Sequence, residues 1–128
     1  GERPINVDAS NIVWVDPLGM PASTTDGPRV AYLWGKLQDG QSNGTFIKLP
    51  SGFTGKITSQ GSAFHAVVIK GQPRYQVSET DSKTLGPGSY FSSQGTSVHQ
   101  VSSSAGVESI IYIRTDGKYD IIPARPGK

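Results

Sequence analysis

The chain contains no cysteine. Disulfides, thiolate nucleophiles and cysteine-ligated metals are therefore excluded, and no thiol is present to report on the redox state of the compartment. Histidine is nearly as scarce, with His65 and His99 the whole supply. A site that needs three imidazoles from one subunit cannot be assembled from two. Charged residues form only 17% of the chain, the net charge is +2, and the basic residues are scattered. No Lys/Arg stripe exists to track a phosphate backbone, so a nucleic-acid partner is not expected. No apolar run approaches the roughly 20 residues of a membrane-crossing helix, and a membrane partner is not expected. No apolar series at helical spacing escapes interruption by glycine or proline, so little or no helix is expected.

What the chain does have is turns. Glycine occurs 16 times and proline 9 times, enough to punctuate many short strands. Short β-rich runs occupy residues 12–15, 30–34, 45–49, 63–69, 73–77, 89–91, 98–101, 107–114 and 119–122. With about ten strands of this length, a sandwich or barrel is the natural architecture. Asn43-Gly44 reads as a turn, and Asp116-Gly117 reads as a hairpin joining the last two runs. Gly71 reads as a hairpin or bend. No repeat or linker divides the chain, so one domain over 1–128 is expected, with ends at about 1–4 and 124–128 frayed. Gly1 in place of an initiator methionine reads as a processed or engineered terminus. A removed secretory signal would put the protein in the periplasm or outside the cell.

Two stretches together resemble the cupin superfamily. Leu85-Gly86-Pro87-Gly88-Ser89-Tyr90-Phe91 followed by Val98-His99 is similar to the second cupin motif, a Pro-Gly turn and then a histidine. Leu49-Pro50-Ser51-Gly52-Phe53 and Val67-Val68-Ile69-Lys70-Gly71 are similar to the frame of the first. From Leu33-Trp34-Gly35 to Tyr119-Asp120-Ile121-Ile122-Pro123, the chain resembles mostly uncharacterised cupins related to the cupin half of ChrR-like zinc anti-sigma factors. The resemblance implies an all-β double-stranded β-helix, a jelly-roll barrel. It also implies a site built from a His-x-His pair, a Glu and a later His. Counting back from Gly71 puts the pair at Thr58 and Gln60 and the acid at Phe64 or His65. Only His99 keeps its residue type.

A hydroxyl and an amide are poor, neutral donors for zinc, iron or manganese. Two readings of His99 stay open: a hydrogen-bonded residue lining a barrel pocket, or the anchor of an altered metal site with His65 as its partner. In the pocket reading, which is favoured, Thr58, Gln60 and His99 are polar contacts for a small molecule, and Phe64, Tyr90 and Trp34 are walls. Each of those aromatics also reads as plain core packing. Lys48 reads as a snorkelling surface lysine or, pointing inward, as an anion contact. Glu79 and Asp81 read as a solvated turn, and Glu108 alone makes no active site. Asn43-Gly44-Thr45 fits a glycosylation sequon, though a turn explains it better.

Three functions follow from these readings. The favoured one is a cupin with a degenerate metal site that binds a small molecule in its barrel, with no cofactor and no conventional metal catalysis. The second is a metal-dependent oxygenase or isomerase using His99. The third is a sensory or interaction module, with residues 12–15 offering a strand for a homodimer.

Overall fold

The computed structural model describes residues 12–15, 27–35, 42–60, 63–78, 80–104 and 106–124. The described residues form ten strands: β1 (Arg29–Gly35), β2 (Asn43–Leu49), β3 (Thr54–Ser59), β4 (Ala63–Lys70), β5 (Arg74–Ser78), β6 (Asp81–Thr84), β7 (Tyr90–Gln94), β8 (Ser97–Ser102), β9 (Ser109–Thr115) and β10 (Tyr119–Pro123). Among the described residues there is no helix.

The strands form two antiparallel sheets of five, in the orders β1-β2-β9-β4-β7 and β10-β3-β8-β5-β6. Consecutive strands pair only in β1–β2 and β5–β6, and every other connection crosses from one sheet to the other. This alternation is the jelly-roll arrangement, and it puts one face of each sheet against the other.

Period-two burial along the strands decides which face is inner. In β9, Ser109, Ile111, Ile113 and Thr115 are buried, while Arg114 between the last two is exposed. β2 buries Thr45, Ile47 and Leu49 in the same way. From the second sheet, Ile57, Val101, Tyr119 and Ile121 close the core against Phe64, Ala66, Val68 and Phe91 of the first. Each large side chain fully withdrawn from water contributes about 1.5–3 kcal/mol.

Two strands lie where no apolar run announced them. β3 reads TGKITS and β6 reads DSKT, and each takes its place by backbone pairing to a neighbour. Residues 12–15, expected as a full strand, contribute one isolated bridge between Val15 and Val30.

Asp116-Gly117 is not a hairpin, because β9 and β10 belong to opposite sheets. Gly117 lacks the positive φ that a tight hairpin turn of this type requires. It is a buried corner instead, with its carbonyl accepting from Asn43 Nδ2 at 3.3 Å. Asn43-Gly44 likewise lies inside β2, with Asn43 only 1% exposed. The turn reading is thus corrected, and the sequon is closed to a glycan in the folded chain. Gly71 is a bend between sheets, with φ of 85°.

The Pro-Gly element forms the turn its residues dictate. Ser89 N donates to Gly86 O at 3.0 Å, with Pro87 second and Gly88 third at φ 90°. That is a type II turn. It aims the chain into β7 beside β4, where Val68 N donates to Ser89 O at 2.8 Å.

β5 is joined to β8 by only two residue pairs, Arg74 with Ser102 and Tyr75 with Val101.

Candidate functional site: a buried imidazole between two hydroxyls

His99 faces inward from β8, between the exposed Val98 and Gln100. It is 4% exposed. Its ring stacks on Phe64, with centroids 4.9 Å apart and planes at 18°. Phe91 and Tyr75 pack around it at 5.2 and 5.8 Å.

Both ring nitrogens are engaged. Nδ1 lies 2.7 Å from the Tyr75 hydroxyl and Nε2 lies 2.9 Å from Ser93 Oγ. A neutral imidazole offers one donor and one acceptor, and the two hydroxyls rotate to match either tautomer. Burial holds the His99 pKa below the ordinary histidine value by disfavouring the charged ring, and raises that of the Tyr75 phenol by the same cause.

The residues expected on β3 sit one position out of phase. Ile57 pairs with His99, and Ser59 pairs with Ser97. Ile57 and Ser59 are therefore the inward pair, each with 0% exposure. Thr58 pairs with Val98, which is 56% exposed, so Thr58 lies on the outer face. Gln60 is also outside, where its Nε2 donates to Asp120 Oδ2 at 3.3 Å. A one-residue slip exchanges the faces of a whole strand, and counting back from Gly71 carried such a slip.

Phe64 is brought to His99, but the other two expected walls, Tyr90 and Trp34, are not. Tyr90 is 55% exposed on the outer face of β7, where its hydroxyl bonds His65 Nδ1. Trp34 is half-buried on the outer face of β1, its Nε1 donating to the Tyr112 hydroxyl at 3.3 Å. His65 is exposed on β4, while the neighbouring Phe64 faces the core. The two histidines thus lie on different sides of the first sheet and share no site. Lys48 lies outside the barrel, its Nζ 4.3 Å above the Trp14 ring. Glu108 pairs with Lys70 at 3.3 Å. Asp81 is exposed on β6, and Glu79 lies outside the described residues.

The residues around His99 do not fit a divalent metal. The inward positions of β3 carry Ile57 and Ser59, β4 supplies the apolar Phe64, and both imidazole nitrogens already have hydroxyl partners. Among the described residues, no three His, Cys, Asp or Glu side chains stand together as a ligand group.

Tyr75 and Ser93 are the contacts that sequence reasoning missed. Ser93 follows Phe91 by two residues, and Tyr75 lies within a β-rich run. A period-two reading anchored on Phe91 would have placed Ser93 inward.

One family model matches the chain, described as "Domain of unknown function (DUF4437)", over residues 1–122. The chain belongs to the DUF4437 family. No curated protein matches it in sequence. Among solved structures, it is similar to an RmlC-like cupin from Ralstonia eutropha JMP134, with 18% identity and a TM-score of 0.64 over 96% of this chain and 76% of that one. It is also similar to the complex of Rhodobacter sphaeroides SigE with the anti-sigma ChrR, at 18% identity and a TM-score of 0.61. That match covers 85% of this DUF4437 chain and 51% of the other. A third is the polyketide cyclase RemF of Streptomyces resistomycificus, at 9% identity and a TM-score of 0.69 over 98% of this chain and 89% of that one. The fold is that of the RmlC-like cupins, and at these identities the likeness extends to the fold alone.

Proposed function

We propose that this DUF4437 chain binds a small organic molecule inside its barrel, with His99, Tyr75 and Ser93 as polar contacts and no conventional metal centre. One observation carries this reading: the buried His99 ring is held by hydroxyls on both nitrogens and by Phe64 on its face. A polar cluster of this size inside an apolar wall is the usual composition of a small-molecule site. Tyr75 and Ser93 are only half-buried, so an entering molecule meets these hydroxyls before the buried His99 ring. Similar folds occur in a polyketide cyclase and in a sigma/anti-sigma complex, so the fold itself does not choose between enzyme and regulator.

Two measurements test the proposal. After incubation with excess zinc, iron(II) or manganese(II) and desalting, the chain should retain far less than one metal per molecule. A stoichiometric metal that His99→Ala removes would overturn the proposal in favour of a metal-dependent enzyme. In an NMR screen of small organic molecules, binders should shift the His99 and Tyr75 ring resonances. A screen in which no binder moves those rings would sink the assignment of the site.

A further inference from the structure

A second constellation lies outside the barrel, on the far face of the first sheet. Directly paired residues form one row across it: Trp34 on β1, Gly44 on β2, Arg114 on β9, His65 on β4 and Ser92 on β7. Gly44 is the reason Trp34 fits. A Cβ there would stand 2.1 Å from Trp34 Nε1 and 2.8 Å from the Tyr112 hydroxyl. The missing side chain is the seat of the indole, whose ring lies 5.9 Å from the Arg114 guanidinium carbon. Arg114 is exposed and, among the described residues, is steadied by an aromatic face with no carboxylate paired to it.

His65 stands directly opposite Arg114 and is also exposed. In the tautomer in which the Tyr90 phenol donates to Nδ1, Nε2 carries the ring proton and can donate to a ligand. Beside both lies a depression of about 290 Å³ bounded by Ser42, Ala63, His65, Arg114, Thr115 and Asp116. Asp116 Oδ1 accepts from Ala63 N at 3.1 Å.

We propose that this depression is a binding site for an organic oxyanion, a carboxylate or a phosphate monoester carried on a flat apolar body. The planar guanidinium presents two parallel N–H donors to such a group, and the imidazole Nε2–H supplies a third. Tyr90, 55% exposed beside His65, offers the ligand's body a ring to lie against. The site is independent of the barrel interior, since His65 and His99 lie on different sides of the first sheet.

Amide NMR titration of the full chain tests it, with sodium benzoate and phenyl phosphate as probes at fixed ionic strength and benzyl alcohol as the neutral control. At least one anion should give saturable shifts at residues 63–65, 92 and 114–116. The tighter of the two anions identifies the preferred group. Arg114→Gln should weaken binding about tenfold or more, and Arg114→Lys, which keeps the charge but loses the fork, should fall between. His65→Gln should weaken it several-fold, and it decides the matter if the Arg114→Gln spectrum shows a lost fold. Equal shifts with benzyl alcohol, no saturable shift with either anion, or unchanged affinity in a folded Arg114→Gln would each overturn the proposal.

Discussion

The His99 imidazole lies nearly parallel to the Phe64 ring, 4.9 Å away, so an apolar face presses on a buried imidazole. The contact joins the two sheets, since Phe64 comes from β4 and His99 from β8. It makes His99 as much a packing element as a polar one.

Substituting His99→Ala should destabilise the fold by about 2–4 kcal/mol. The change leaves a cavity under Phe64 and deprives two hydroxyls of their partner. Urea unfolding followed by tryptophan fluorescence measures this. A loss below about 0.5 kcal/mol would mean the ring is not packed as described.

Stability should also depend on pH through His99. Its folded pKa is lowered by burial from the ordinary 6.5. Between the two values the unfolded chain holds the proton and the folded chain does not. The contribution is therefore fully present above the unfolded pKa. It falls as pH drops below that value and levels off once the folded ring protonates. The urea midpoint should be lower near pH 5 than near pH 7.5, and the difference should shrink in His99→Gln. A midpoint that rises on acidification would show that the hydroxyls favour the charged ring.

Gly88→Ala should cost about 1–2 kcal/mol, because its φ of 90° suits glycine and its surroundings are open. Gly86→Ala is the control. Its surroundings are equally open and its φ is not positive, so it should change little. Equal losses in both variants would refute the turn argument.

Tyr119→Phe should cost about 1–2 kcal/mol by leaving Thr45 Oγ1, which is buried, without its hydroxyl partner. The double variant with Thr45→Val should recover part of that loss, as a thermodynamic cycle of the four proteins would reveal.

The fold was largely legible because its signals are local. The β-branched run in β4, the Pro-Gly turn before β7 and the scarcity of helical spacing all act within a few residues. The site was half legible for the same reason. His99 and Phe64 stood out by type, but the face that Thr58 presents depends on register, which is set by pairing with β8 across the sheet. Asp116-Gly117 misled in a related way. The dipeptide permits a hairpin, yet Asn43, 74 residues apart from Gly117 in sequence, helps fix it as a corner. β3 and β6 were invisible because their backbone pairing, and not an apolar pattern, makes them strands.

The short ladder between β5 and β8 gives the barrel walls of unequal strength. Two residue pairs tether the β5–β6 hairpin there, whereas β3 meets β8 over six. Amide exchange should follow this asymmetry. Protons of β5 and β6 should exchange through local opening, while those of β4 and β9 should wait for global unfolding. Because Tyr75 belongs to β5, each such opening would carry its hydroxyl away from His99. The buried imidazole would then meet solvent many times in the life of a single folded molecule.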